Sequence, residues 1–301
     1  MNLGPITAAL LTIALAQAPV STAQLSMTLK TRATSQGELV VVTIAVTQAV
    51  DRIDVRVFDR DTRAFPVDGR TWRALVGIDL DATPDTYKIT ATTTRTGGVT
   101  FRATQDLVVT AREFPTRKLT VDESFVNPPA EVTDRIAREA KELEQIWTES
   151  SSERLWTGVF ERPVPHDSNS AFGSRSVFNG QARSPHSGAD FSSPAGTPIK
   201  SPNAGRIVLA KDLYFSGNTV IIDHGLGLFS TMAHLSSIDV KPGDVVRAGQ
   251  VVGLVGATGR VTGAHLHWAV RLNGARIDPL SLLALLGTSQ PPLVTHEELK
   301  K

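Results

Sequence analysis

The 301-residue chain contains no cysteine. This excludes a disulfide framework, a thiol nucleophile, a Cys-ligated iron–sulfur cluster and any Cys-ligated zinc. Net charge is nearly absent as well. The 31 Lys and Arg against 30 Asp and Glu leave +1, so no bulk charge directs the chain to nucleic acid or acidic lipid. After the N-terminal segment, no stretch approaches the roughly 18 apolar residues of a membrane helix. Histidine is scarce, with seven in all. Since thiolate is unavailable, a zinc-type metal would have to sit on His, Asp or Glu. What the chain does have is 41% hydrophobic residues, too many for disorder, and a length that suggests about two domains, each able to bury a core.

The N-terminus reads as an export signal over residues 1–23. Ile6 to Ala16 is apolar apart from Thr7 and Thr12, the length of a signal h-region and too short to span a bilayer. Ser21-Thr22-Ala23 places small residues at −3 and −1 of a cut after Ala23. The n-region is atypical, with no Lys or Arg before Lys30. The expectation is a periplasmic or secreted protein with no membrane span once the signal is removed.

The remainder is expected to be mostly β. Residues 24–115 carry short strands separated by turns. Ile53, Val55 and Val57 alternate with polar residues, Leu39 to Val46 is dense in β-branched residues, Tyr87, Ile89 and Ala91 alternate again, and Asp106 to Thr110 offers another strand. This pattern suggests an immunoglobulin-like β-sandwich, with no clustered catalytic residue types. Residues 116–156 form a linker with a helix. Asn127 is its expected cap, Pro128 and Pro129 suit its first turn, and Val132, Ile136, Ala140, Leu143 and Trp147 share one face. Residues 157–285 return to strands and Gly turns, with candidates at Arg206 to Leu209, Thr219 to Asp223, Leu228 to His234, Val251 to Val255 and His265 to Leu272. Residues 286–301 read as a loose polar tail.

Four of the seven histidines fall in three short segments of this last part: His186 with Asp190 in SPHSGADF, His234 in TMAHL, and His265 with His267 in GAHLHW. On a strand, residues two apart share a face, so His265 and His267 project together and Leu266 faces away. Each element alone is a weak signal; together, in a chain so poor in histidine, they are a strong one. A catalytic zinc needs three protein ligands and an open position, and imidazole and carboxylate suit it. His186, Asp190 and one histidine of the pair would supply the set. The other histidine of the pair would stand beside the metal as a proton acceptor, and His234 could join from a neighbouring strand.

These segments resemble the LytM/lysostaphin-type zinc metalloendopeptidases of bacterial cell walls. The H-x-x-x-D, lone His-Leu and H-x-H hallmarks stand here in the family's order, as His186 to Asp190, His234-Leu235 and His265 to His267. FGSRSVFNG, GNTVIIDHG and KPGDVVRAGQVVGLVGATG match in the flanks. The resemblance covers residues 157–285. It implies an antiparallel β peptidase domain with a peptide groove, one Zn²⁺ per chain on His186, Asp190 and His267, His265 as general base, and His234 assisting it. The implied partner is the peptide stems of peptidoglycan, with envelope proteins as regulators. One departure is visible. Many relatives have Tyr two residues before the lone His, where its hydroxyl can stabilise an oxyanion. This chain has Met232, which cannot donate that bond.

Two further residues are substrate-binding candidates. Asn218 is placed near the groove by the resemblance, with a turn or strand-end role as its alternative. Arg175 can bind a carboxylate bidentately or form a structural ion pair. His166 and His296 read as solvated and His224 as a turn residue. The leading expectation is an exported zinc endopeptidase that hydrolyses peptidoglycan cross-links. The alternatives are a non-catalytic cell-wall-binding or hydrolase-activating relative, and a secreted protease acting on other peptides.

Overall fold

The structure is a computed structural model describing residues 25–94, 100–120, 126–169 and 171–287. The expected signal segment 1–23 and residues 288–301 of the tail, including His296, lie outside the described residues.

The chain is mostly β. Its first part is built from β1 (Leu25–Thr31), β2 (Leu39–Val46), β3 (Asp54–Val57), β4 (Arg60–Arg63), β5 (Phe65–Pro66), β6 (Thr71–Gly77), β7 (Asp85–Thr94) and β8 (Thr100–Val109). They form two four-stranded sheets, β1-β2-β6-β5 and β4-β3-β7-β8. The alternating residues Val55 and Val57 of β3 and Ile89 and Ala91 of β7 meet Val40, Val42 and Ile44 of β2 in a common apolar interior, as period-two patterning requires. The β3–β4 hairpin turns through Phe58 and Asp59, both at positive φ (50° and 56°). Two such residues give the turn whose twist matches paired strands; Asp59 suits that conformation, whereas Phe58 gives no sign of it.

β2 has a second buried face. Leu39 and Val41 of β2 and Leu75 of β6 belong not to that interior but to the core of the C-terminal part, beside Trp156, Phe160, Leu272 and Ile277. A strand buried on both sides reads as an unbroken apolar run, which accounts for Leu39 to Val42, all four buried. Arg276 bonds Asp79 and Asp81 across the same contact. Beside it, buried Glu38 and Asp278 share Arg32.

The connection contains β9 (Thr116–Leu119) and α1 (Thr133–Thr148). The helix begins later than Asn127 predicts. Pro128 precedes another proline and is therefore steered to extended backbone. Pro129 is extended (ψ 146°), and a single 3₁₀ turn, Ala130–Val132, leads into α1. Leu143 and Trp147 do face the sheet, joined by Ile146 against Leu209, Leu213, Ile221 and Phe229, whereas Ala140 is exposed.

The C-terminal part comprises β10 (Arg175–Phe178), β11 (Gln181–Ala182), β12 (Gly188–Phe191), β13 (Pro198–Lys200), β14 (Gly205–Leu213), β15 (Gly217–Gly225), β16 (Leu228–Ile238), β17 (Val245–Val246), β18 (Val251–Val255), β19 (Leu266–Leu272), β20 (Ala275–Ile277) and α2 (Pro279–Leu286). Its main path runs β12-β19-β16-β15-β14-β17, antiparallel throughout. One face buries Val220, Met232, Leu266 and Trp268. The other carries α1 at the Phe229 end and the functional histidines at the end where Ala233 pairs with His267. The β10–β11 hairpin leads into His186 and pairs in parallel with β9, Arg175 opposite Thr116 and Phe178 opposite Leu119. Among the described residues no helix is long and apolar enough to cross a membrane.

Candidate metal centre and its neighbours

Strands β12 and β19 lie in register with Asp190 opposite His267. Because Leu266 and Trp268 are fully buried beneath the sheet, alternation turns His267 to the opposite face. His186 arrives from the segment before β12, where its backbone N–H donates to the Ser174 carbonyl at 2.9 Å and its carbonyl accepts from Gly173 at 2.7 Å. His186 Nε2 is 3.0 Å from Asp190 Oδ1 and 3.0 Å from His267 Nδ1, and His267 Nδ1 is 2.8 Å from Asp190 Oδ1. The room for the His267 ring depends on Gly188. A Cβ there would lie 2.6 Å from His267 Cε1 and 2.5 Å from the Trp268 carbonyl oxygen.

This triangle fits a divalent cation. Donors at about 2.0–2.1 Å from a tetrahedral zinc lie roughly 3.3 Å from one another, close to the separations found. Hydrogen bonding alone satisfies the three atoms poorly, because two imidazole nitrogens that both donate to one carboxylate oxygen present their hydrogens to each other. His186 Nδ1 is buried with no hydrogen-bond partner among the described residues, so the ring is anchored only from its Nε2 side. Burial raises the Asp190 pKa, but hydrogen bonds from His186 and His267 outweigh it and hold the carboxyl far below its usual range. Burial pushes His267 down, towards the neutral ligating form, against the opposing bond from Asp190.

His265 and His234 stand beside the triangle. His265 Nε2 is 3.8 Å from Asp190 Oδ1. Its Nδ1 lies 2.9 Å from the Gly263 carbonyl. A carbonyl only accepts, so Nδ1 carries the proton and Nε2 is left as a bare acceptor. His234 repeats the arrangement, with Nδ1 donating to the Thr258 carbonyl at 3.0 Å and its ring 4.9 Å from that of His265. Burial, and then the charge of His267, depress the His234 pKa to about 4, so it is neutral near pH 7.

His234 reaches this face only through a backbone irregularity. Met232, two residues earlier on β16, is fully buried in the core. Regular alternation would bury His234 with it. Instead His234 has φ 68°, its N–H turns to the Ser216 carbonyl, and the pairing with β15 and β18 shifts register around it. Left-handed backbone at a non-glycine residue costs on the order of 1–3 kcal/mol and persists where surrounding structure imposes it. Met232 itself points into the core opposite Trp268, and its thioether supplies no hydrogen-bond donor.

The other candidates lie as follows. Asn218 Nδ2 donates to the Leu235 carbonyl, and its N–H donates to Thr258 Oγ1, so it braces the segments on both sides of His234. Arg175 approaches Asp81 at 3.9 Å. Two sequence readings are corrected. His224 is fully buried and bridges the Ala204 carbonyl and Ser230 Oγ. His166 is half-buried and meets Ser193 Oγ at 3.0 Å.

Residues 184–279, which span all these histidines except His166, match the model of peptidase family M23. A crystal structure assigned to peptidase M23 from Pseudomonas aeruginosa aligns over 84% of this chain and 96% of that one, at 33% identity and a TM-score of 0.66. The chain belongs to peptidase family M23. The peptidoglycan DD-endopeptidase ShyA of Vibrio cholerae serotype O1 is 39% identical over 107 residues, 36% of this chain and 25% of that protein. The DD-carboxypeptidase/endopeptidase Mpg of Neisseria meningitidis serogroup B is 41% identical over 97 residues, 32% of this chain and 22% of that protein. The match thus spans about a quarter of these curated relatives. Both relatives carry peptidase activity in their names, and the family model matches the part of the chain that holds the triangle.

Proposed function

We propose that the chain is a zinc endopeptidase that hydrolyses the peptide cross-links of peptidoglycan in the cell envelope. The observation that carries this is the convergence of three donors, His186, Asp190 and His267, beside two histidines whose Nδ1 atoms are tied to carbonyls. Held by His186, Asp190 and His267, zinc would supply a Lewis acid for the scissile carbonyl and make the attacking water more acidic. His265 Nε2 takes the proton from the attacking water and returns it to the leaving amine. His234, neutral and bare at Nε2, accepts a second hydrogen bond from that water and orients it. Asp190 stays anionic and His267 neutral, the states in which each can serve as a ligand.

The substrate class follows the relatives named for peptidoglycan endopeptidase activity. A cell-wall substrate requires export, which agrees with the signal-like segment 1–23. We assign residues 24–115 to an immunoglobulin-like sandwich, for which the strand orders β1-β2-β6-β5 and β4-β3-β7-β8 are the support. Residues 116–156 form the linker and 157–285 the catalytic part. All three ligand positions are filled, which favours hydrolysis over binding alone. The test is mass spectrometry of muropeptides released from purified peptidoglycan. Release that stops with a chelator and returns with added zinc agrees with the proposal; release that persists in chelator contradicts it.

A further inference from the structure

His186 lacks the support that a ligating histidine usually has. Such a ring normally donates its other N–H to a carboxylate, carbonyl or water, which fixes its orientation. His186 Nδ1 is buried with no hydrogen-bond partner among the described residues, so the placement of the ring depends on its backbone. That backbone is tied to residues 173 and 174 by the His186 N–H on the Ser174 carbonyl and the Gly173 N–H on the His186 carbonyl. Those residues are held in turn by the N-terminal part of the chain. Gly173 is buried at φ 78°, and a Cβ there would overlap the Phe114 ring. The buried Phe172 ring meets that of Phe114 with centroids 6.5 Å apart, and it packs so closely on Gly37 that a Cβ at 37 would overlap it. Further along, the Arg175 N–H donates to the Pro115 carbonyl at 2.8 Å and the Asn179 N–H to the Leu119 carbonyl at 3.0 Å, flanking the parallel pairing of β9 with β10. Arg112 anchors the start of this run. Its N–H donates to Gln36 Oε1 at 2.8 Å, its Nη1 reaches buried Glu38 at 3.4 Å, and its guanidinium lies 5.1 Å from the centroid of the Phe114 ring.

Residues 112–119 thus form a strap, fixed at one end to the N-terminal sheets and laid along the segment that holds the His186 backbone. The other two donors need no such help. Asp190 and His267 face each other on paired strands β12 and β19, whereas His186 alone of the three lies outside regular structure. We propose that the strap positions His186 and so sets the metal affinity of the donor set, with Phe114, acting through Gly173, as the positioning residue. This rests on the zinc reading above and gives the N-terminal part, where no catalytic residue types cluster, a role in the site. Without the Phe114 ring, two donors stay in register and the third loses its alignment. The coupling runs both ways: whatever the strap adds to metal affinity, bound metal adds to docking of the strap.

The experiment measures zinc affinity of the full chain by competition with a chromophoric chelator, for the wild type, Phe114→Ala, Phe114→Leu and Trp147→Ala. Trp147→Ala is the control, because it removes an aromatic contact from α1 at the Phe229 end of the sheet. Phe114→Ala should weaken zinc at least about tenfold, the low end of what partners that orient a metal ligand contribute. Phe114→Leu should recover most of that loss, and Trp147→Ala should stay within about twofold of the wild type, as an uncoupled site does. Circular dichroism at saturating zinc reports that each variant is folded. Unchanged affinity in folded Phe114→Ala, or equal weakening in Phe114→Ala and Trp147→Ala, overturns the inference. Hydrogen exchange on the wild type gives a second measurement that needs no variant. Zinc should slow the Arg175 and Asn179 amides, which donate to the strap, by more than it slows the amides of α1; equal slowing of both overturns the inference. Failure of the wild type to bind zinc overturns the zinc reading, and the inference with it.

Discussion

At the scale of single residues, the site separates ligation from proton transfer by the hydrogen bonds each imidazole makes. His265 is fixed by the Gly263 carbonyl and lies 3.8 Å from the nearest Asp190 oxygen, outside the triangle. Changing His265 to Gln should therefore leave zinc stoichiometry intact while lowering kcat about 10²–10⁴-fold, the range of a lost general base. Zinc loss in that variant would make His265 a ligand. His224 shows the opposite use of the same side chain. Burial depresses its pKa to about 4, against an unfolded value near 6.5. The unfolded chain then binds the proton first as pH falls, so stability present above about pH 6.5 is lost progressively down to about pH 4, by about 3 kcal/mol in full. Urea unfolding across this window should show that loss in the wild type and a flatter profile in His224→Gln. Equal slopes would contradict the account.

At the scale of elements, strand alternation explains most of the site and one break in alternation explains the rest. The H-x-H pair, His265 just before β19 and His267 within it, is legible from the sequence because Leu266 and Trp268 must go inside. His234 was a candidate from its motif, but alternation does not place it, because regular β16 would bury it with Met232, and only the left-handed backbone at 234 brings it to the site. Asn, which tolerates that conformation, should keep the fold at position 234 while losing turnover. Val should in addition lower stability by about 1–3 kcal/mol; thermal unfolding of the two variants separates the effects. Pairing of β9 with β10 was equally hidden, since Thr116 to Leu119 are all exposed and carry no periodic signal. Helix α1 was visible in its apolar face but not in its start, which two prolines delay. Trp147 meets Phe229 edge-on at 5.3 Å and lies under Arg271 at 4.9 Å. Trp147→Ala should cost about 2–3 kcal/mol and speed amide exchange across α1, whereas exposed Lys141→Ala should change stability by no more than about 0.5 kcal/mol.

At the scale of the whole molecule, the sheet containing β2 and β6 belongs to two interiors at once. Val40, Val42 and Ile44 face the first, and Leu39, Val41 and Leu75 face the second. The apolar stretch Leu39 to Val42, buried at every position, carried that information, although composition alone does not say what covers the second face. Polar contacts follow the same seam, from Arg276 on Asp79 to Ser281 on Glu38. Such a seam predicts one cooperative unfolding transition in calorimetry, lowered in temperature by Val41→Asp, which buries an unpaired carboxylate. Two well-separated transitions in the wild type would contradict the shared core.

The central claim is the donor set, and native mass spectrometry of the zinc-reconstituted protein tests it most directly. The account predicts one zinc per chain in the wild type and in His265→Ala, and none in His186→Ala, Asp190→Ala or His267→Ala. Full zinc occupancy in His267→Ala, or its loss in His265→Ala, would contradict it.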